Sequence, residues 1–229
     1  MEPTETRDRG RAAAGGALAR IRSLWAAKLI GIPASMAAFF ALYFLVLEHP
    51  LAPVTTVPLI AADGWVPFAP RAFPLYASLW VYVALAPSLL DDRLDLLAYL
   101  GAAAALSAAG FAVFLAWPTR VPRLDLDWSA FPALARLKTV DASGNALPSL
   151  HVAFAVFTAA WLGRLLRAMG AGAALLCLNW LWCMGIVYST MAVRQHVALD
   201  VLSGAVLGAG AAVAHAHVLT FLRARGAVR

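Results

Sequence analysis

The sequence predicts an all-α protein, a polytopic membrane bundle of six transmembrane helices. Apolar residues make up 62% of the 229 residues and charged residues only 13%, whereas a soluble domain has roughly 45–50% and about 25%. The mean hydropathy is +0.77, so there are too many apolar residues for all of them to be buried in the core of a soluble domain. Backbone polar groups that cross lipid must be paired within the chain, so spans of this composition are helices.

Six apolar segments are long enough to cross a bilayer or nearly so. They cover residues 29–47, 73–90, 96–117, 148–165, 171–190 and 196–221. Within the long loop 118–147, apolar residues recur every three positions, which predicts a short helix lying on the membrane surface. These residues are Trp128, Phe131, Leu134 and Leu137.

The chain is therefore divided into one membrane domain and two short polar ends. Residues 1–28 form a cytosolic tail whose last part is a basic amphipathic segment, residues 29–222 form the six-span domain, and residues 223–229 form a basic cytosolic tail. Residues 18–28 fit either an interfacial helix or the charged start of the first span.

The distribution of Lys and Arg predicts the orientation of the bundle. With the N-terminus inside, 12 of the 18 basic residues fall on the inner side, which favours two cytosolic termini and a bacterial inner membrane. The net charge of +6 is spread over short loops, so it indicates orientation rather than nucleic-acid binding. Five of the six outer basic residues lie in the two loops that precede the fourth and sixth spans.

Two spans begin with a histidine. His151 follows the turn-rich stretch GNALPS, and His196 lies in RQHVALD. The fourth and sixth spans are separated by one span, so both start at the same face of the membrane, the predicted outer, periplasmic face. We therefore expect His151 and His196 to be close together at similar depth.

The residues around the two histidines suit phosphoryl transfer. Asp200 lies four residues after His196 on the same helical face and can fix the imidazole tautomer, leaving the other nitrogen free to attack. An intramembrane carboxylate is costly and by default functional. Helix N-termini and cations favour phosphate. The candidate phosphate-binding residues are Ser149, Leu150, Arg194, Lys138, Arg120 and Arg123.

The two motifs resemble those of the type 2 phosphatidic acid phosphatase superfamily. NALPSLHVAF resembles its Pro-Ser-Gly-His segment, and HVALDVLSG resembles its His-xxx-Asp segment. The resemblance implies that His196 is the nucleophile of a phospho-histidine intermediate, Asp200 orients it and His151 is the general acid. It implies no metal and no cofactor, and a lipid phosphate as the substrate.

The sequence departs from the family pattern at three places. The first family motif, Lys-x6-Arg-Pro, is absent as such; Thr190 stands where the last motif has arginine; and Leu150 replaces a glycine. These departures resemble a divergent branch that includes inositol phosphorylceramide synthases.

Three functions stay open on this evidence: a metal-independent lipid phosphate phosphatase, a phospholipid-headgroup phosphotransferase, and a non-catalytic lipid-binding protein or scaffold. Features outside the two motifs have structural interpretations. His49, His215 and His217 are expected to be packing or interfacial residues, and Gly204 and Gly208 to form a helix-packing face.

Overall fold

The computed structural model describes residues 16–122, 126–141 and 144–226. Helix accounts for 77% of the structure and strand for 2%, which confirms the predicted all-α class. The α-helices are α1 (16–22), α2 (Trp25–Glu48), α3 (Phe73–Ala77), α4 (Leu79–Ser88), α5 (Arg93–Ala116), α6 (Pro132–Asp141), α7 (Leu150–Ala168), α8 (Ala173–Ala192) and α9 (Ala198–Gly226). Short 3-10 helices cover Ala61–Trp65, Pro70–Ala72 and Trp128–Ala130.

Five of the described helices are long and apolar enough to cross a membrane, namely α2, α5, α7, α8 and α9. The predicted second span is divided at Ser78 into α3 and α4. The Ser78 hydroxyl donates to Leu75 O at 2.6 Å and accepts from Trp182 Nε1 at 2.9 Å. A hydroxyl that bonds the preceding turn bends a helix, which explains the division of this span.

Helix α7 forms the centre of the bundle. In the 18-residue apolar stretch of α7, 67% of the residues are buried, whereas none is buried in the corresponding stretch of α2. Helix α7 packs against α4, α5, α8 and α9, and its side chains Ala153, Phe157 and Ala159 are fully buried. The histidine-bearing start of α7 is therefore held by neighbours on several sides.

The contact between α7 and α9 depends on two glycines. A Cβ at Gly204 would lie 2.3 Å from Ser149 O, and a Cβ at Gly208 would lie 2.3 Å from Ala153 O. Both distances are far below a van der Waals contact, so only glycine permits this approach. The predicted packing role of Gly204 and Gly208 is confirmed.

Contacts between polar residues show which helix ends lie together. The N-terminal segment reaches the α4–α5 turn through Arg20 Nη1 and Asp91 Oδ1, 2.6 Å apart, and through Lys28 Nζ, which donates to Ser88 O at 2.9 Å. Arg223 near the end of α9 pairs with Asp95 at the start of α5 at 2.7 Å. We call this end of the bundle the basic end.

The opposite end carries the long loops. A parallel pair of two-residue strands, β1 (Thr55–Thr56) and β2 (Thr119–Arg120), joins the loop after α2 to the loop after α5. The predicted short helix of the long loop is present as α6 with the preceding 3-10 turn. Its apolar residues pack on protein, because Leu134 is 2% exposed and forms a cluster with Tyr76 and Val193.

Candidate active site

The imidazole of His196 is bonded to the carboxylate of Asp200. His196 Nδ1 lies 3.0 Å from Asp200 Oδ2, and the Asp200 side chain is fully buried while that of His196 is 11% exposed. His196 precedes α9, which begins at Ala198, so it lies just outside the helix rather than in its first turn. Asp200 Oδ1 accepts from Val197 N at 2.7 Å, which joins the residue after His196 to the first turn of α9.

His151 is the second residue of α7 and is 8% exposed. Its ring stacks on Tyr76, with centroids 4.1 Å apart and planes at 14°, and meets the edge of Trp80 at 5.9 Å. Its Nε2 is buried and has no hydrogen-bond partner among the described residues. Because buried polar atoms are normally hydrogen-bonded, a bound ligand is a candidate partner for this nitrogen.

A cavity of about 180 Å³ is lined by both histidines. Its other lining residues are mostly aromatic and come from α2, α3 and α4, among them Phe40, Tyr43 and Trp80. We call it the histidine cavity. It brings together the two residues that the sequence placed at one face of the membrane.

The turn before His196 is held from several directions. Thr190 O, near the end of α8, accepts from Gln195 N at 3.0 Å and His196 N at 3.1 Å. Arg194 adopts a left-handed φ of 59°, and its carbonyl accepts from Lys138 Nζ at 2.6 Å. These bonds fix the backbone that carries the imidazole.

Asp63, which the sequence analysis missed, lies beside the same turn. Asp63 Oδ1 accepts from Ala198 N at 2.7 Å, and Oδ2 accepts from Ile60 N at 2.8 Å. A second cavity of about 260 Å³ is lined by Asp63, Arg194 and His196, and we call it the polar cavity. Asp63 lies in the loop between α2 and α3, and no local sequence pattern links this loop to α9.

The helix N-termini contribute fewer free donors than the sequence suggested. Val197 N and Ala198 N are taken by Asp200 and Asp63, so the start of α9 is already neutralised by carboxylates. At the start of α7, the buried Ser149 hydroxyl caps Val152 N at 3.2 Å, and Ser149 N donates to Asp200 O at 3.0 Å. Leu150 lines the histidine cavity, and its N–H has no partner among the described residues.

The four candidate cations occupy different positions. Arg194 lines the polar cavity beside His196. Lys138 donates to Arg194 O and lies 5.4 Å from the centroid of the Trp128 ring. Arg120 is exposed, and its Nε donates to Thr56 Oγ1 at 3.2 Å. Arg123 lies outside the described residues.

Other motif residues have structural partners. The hydroxyls of the buried Ser189 and Thr190 donate to carbonyls of their own helix, Ile186 O and Val187 O. Among the described residues, no group of three or more His, Cys, Asp or Glu side chains is placed to hold a metal ion.

The apolar helices indicate an integral membrane protein, and a His–Asp pair and a second histidine lie at one end of its bundle. A model of the PAP2 superfamily matches residues 94–224, which include both histidines and Asp200. The chain belongs to the PAP2 superfamily, whose members are generally phosphatases or phosphotransferases. Neither the curated proteins nor the solved structures include a match to this chain.

Proposed function

We propose that this protein is a lipid phosphate phosphatase that hydrolyses a phosphomonoester or pyrophosphate through a phospho-histidine intermediate. The observation that carries the proposal is the pairing of His196 Nδ1 with Asp200 at 3.0 Å beside a cavity that His151 also lines. The bond fixes one imidazole tautomer and leaves Nε2 of His196 as the nucleophile.

The reaction has two steps. His196 Nε2 attacks phosphorus, the bond from phosphorus to the leaving oxygen breaks, and protonated His151 gives its proton to that oxygen. Water then attacks the phosphorus of the phospho-histidine, His151 takes a proton from the water, and inorganic phosphate leaves as the N–P bond breaks. Arg194 and the Leu150 N–H are the proposed partners of the phosphoryl oxygens, whose negative charge they offset.

A groove in the membrane-facing part of the bundle supports a lipid substrate. It has a volume of about 430 Å³ and lies between α2, α4 and α5. Phe39, Trp80 and Phe154 line both this groove and the histidine cavity. We call this groove the tail groove. If the apolar chain of a lipid lies in this groove, its phosphate headgroup lies near the two histidines. We propose that this is how the substrate is recognised.

We also propose six spans with both termini in the cytosol and the site facing the periplasm. Helix α2 runs from the basic end to the loop end, and Asp91 after α4 returns to Arg20 before α2. The α3–α4 pair must therefore travel back across the bundle, although it is broken at Ser78. The basic end carries Arg20, Arg93 and Arg223, as expected for a cytosolic face.

The alternative reaction transfers the phosphoryl group, with its headgroup, to a lipid hydroxyl. Thr190 in place of the arginine of the family motif favours it, because this departure resembles the inositol phosphorylceramide synthase-like branch. The same nucleophile and acid would serve, and only the acceptor in the second step would differ.

Purified protein in detergent tests both reactions. We expect release of inorganic phosphate from phosphatidic acid or a polyprenyl pyrophosphate. When the reaction with ³²P-labelled substrate is quenched, we also expect a labelled phosphoprotein that is acid-labile and base-stable. His196→Ala should abolish both signals. Headgroup transfer without phosphate release would favour the transferase. Inactivity on every lipid phosphate tested would favour a non-catalytic lipid-binding protein, whereas an unchanged rate in His196→Ala would show that His196 is not the nucleophile.

A further inference from the structure

We infer that Asp63 is a positioning residue for the nucleophile, an inference that rests on the proposed function. Asp63 lies in the loop between α2 and α3, 135 residues before Ala198, yet its Oδ1 accepts the Ala198 N–H at 2.7 Å. It therefore supplies, from a distant loop, the cap of the helix that carries Asp200.

The geometry limits how His196 can move. Asp200 binds the imidazole through Oδ2 and the Val197 N–H through Oδ1. Asp63 binds the next N–H along the chain, that of Ala198. Two carboxylates thus hold consecutive backbone N–H groups directly after His196, so the start of α9 cannot rotate without breaking one of these bonds.

The other oxygen of Asp63 holds the loop itself. Oδ2 accepts from Ile60 N at 2.8 Å, and the side chain is only 9% exposed. A buried carboxylate with both oxygens bonded to backbone N–H groups is fixed in place. The loop and α9 are consequently joined through this one side chain.

Both oxygens are directed to backbone donors, which distinguishes a positioning role from a chemical one. A residue that abstracts or donates a proton needs its carboxylate charge. A residue that caps Ala198 needs only an acceptor oxygen at the right distance. Asparagine can keep its single carbonyl oxygen on the Ala198 N–H, but its NH2 group then replaces the oxygen that accepts from Ile60 N, so it keeps the cap and loses the bond to the loop. The amide variant therefore separates the two roles.

The test compares Asp63→Asn, Asp63→Ala and Asp63→Glu with a control cap at the basic end. Asp92 caps α5 by accepting from Leu94 N at 2.8 Å and Asp95 N at 3.1 Å. Asp92→Ala therefore removes a similar cap far from the histidines. Thermal unfolding should show a larger loss of stability in Asp63→Ala than in Asp92→Ala, because Asp63 is buried and Asp92 is exposed.

We expect Asp63→Ala and Asp92→Ala to differ in kcat. Asp63→Ala should lower kcat by about 10- to 100-fold, because small displacements of a reacting group have effects of that size. KM should change much less than kcat. Asp63 lines the polar cavity beside Arg194, but both of its oxygens are bonded to backbone N–H groups, and it lines neither the histidine cavity nor the tail groove. Asp63→Asn should lose clearly less kcat than Asp63→Ala, because it keeps the cap of Ala198 and loses only the bond to Ile60 N. Asp92→Ala should keep kcat unchanged.

Asp63→Glu keeps the comparison informative if Asp63→Ala does not fold. The added methylene moves the carboxylate away from its two N–H partners. Positioning predicts that Asp63→Asn is more active than Asp63→Glu, whereas a chemical role for the charge predicts the reverse order. Equal kcat in Asp63→Ala and Asp92→Ala, or equal damage in Asp63→Asn and Asp63→Ala, would overturn the inference.

A spectroscopic readout separates this inference from the proposed function. The Nδ1 proton shared by His196 and Asp200 should give a downfield proton resonance that is absent in His196→Gln. It should persist in Asp63→Asn and Asp92→Ala and disappear or shift in Asp63→Ala or Asp63→Glu. If wild-type protein lacks activity but shows this pattern, the proposed function is wrong and the positioning role stands. An unchanged resonance in Asp63→Ala and Asp63→Glu would contradict the role directly.

Discussion

His151 and His196 differ in their partners, and that difference predicts different effects when each is removed. His196 is bonded to Asp200 at 3.0 Å, whereas His151 Nε2 has no hydrogen-bond partner among the residues that the structure describes and donates to the substrate in our proposal. A general acid matters most when the leaving oxygen is a poor leaving group, and its contribution is about 10²–10⁴-fold.

We therefore expect His151→Ala to slow hydrolysis of a lipid alkyl phosphate far more than that of an aryl phosphate such as p-nitrophenyl phosphate. His196→Ala should remove both activities alike, because both need the nucleophile. The measurement is kcat for each substrate in each variant. Equal losses on the two substrates in His151→Ala would show that His151 does not protonate the leaving group.

Part of the site could be predicted from local spacing and part could not. The His196–Asp200 bond follows from a four-residue separation, and the meeting of His151 with His196 follows from counting spans. Asp63 lies 135 residues from its partner Ala198, and nothing in the local sequence pattern encodes that contact. The same limit applies to the bond from Lys138 Nζ to Arg194 O, which joins residues 56 apart; the phosphate-binding role of Lys138 stays a prediction.

At the scale of helices, the approach of α7 to α9 sets the distance between the two histidines. A Cβ at Gly204 would lie 2.3 Å from the backbone oxygen of Ser149, which is two residues before His151. Because the obstacle is backbone, Gly204→Ala must push the helices apart. Overpacking of this kind costs about 1–3 kcal/mol, so we expect both a lower thermal midpoint and a lower kcat.

Gly210→Ala is the matched control for this variant. Gly210 lies on the same helix, and a Cβ there would meet nothing within 4 Å. Replacing it should leave activity unchanged and, if anything, stabilise α9 slightly, since alanine is the better helix former. Comparable losses in the two variants would mean that helix separation at Gly204 is not what limits activity.

The tail groove predicts a substrate-dependent effect on α5. Ala104 lines the groove, and the neighbouring Ala105 is exposed but does not line it. Ala104→Trp should fill part of the groove, raise KM for long-chain lipid phosphates and leave hydrolysis of p-nitrophenyl phosphate unchanged. Ala105→Trp should change neither. A KM for long chains that is equal in both variants would exclude the groove as the tail site.

Helices were easier to predict than their interruptions. The segment 73–90 is apolar throughout, and hydropathy alone predicts one span there. The bend depends on the Ser78 hydroxyl between Leu75 O and Trp182 Nε1, and the Trp182 bond joins residues 104 apart. The three-residue spacing of Leu134 and its neighbours predicted the helix α6 correctly. It did not predict that the apolar face of α6 packs on other parts of the protein instead of on lipid, because periodicity shows only that a face is apolar and not what it contacts.

At the scale of the whole molecule, the broken α3–α4 pair decides the orientation of everything after it. If the pair crosses the membrane, residue 65 and residue 168 lie on opposite sides. If it does not, every later helix is inverted and the C-terminus moves to the side opposite the N-terminus. The Arg20–Asp91 pair joins segments that only the six-span arrangement leaves on one side.

Cysteine labelling separates the two arrangements. The native Cys177 and Cys183 lie in α8 and would first be replaced by alanine. Trp65, 80% exposed in the loop after α2, and Ala168, exposed at the end of α7, are then replaced singly by cysteine. A membrane-impermeant maleimide should label Trp65→Cys in intact cells and Ala168→Cys only after the membrane is opened. Labelling of both in intact cells would mean that α3–α4 does not cross, and labelling of Ala168→Cys alone would mean that the site faces the cytosol.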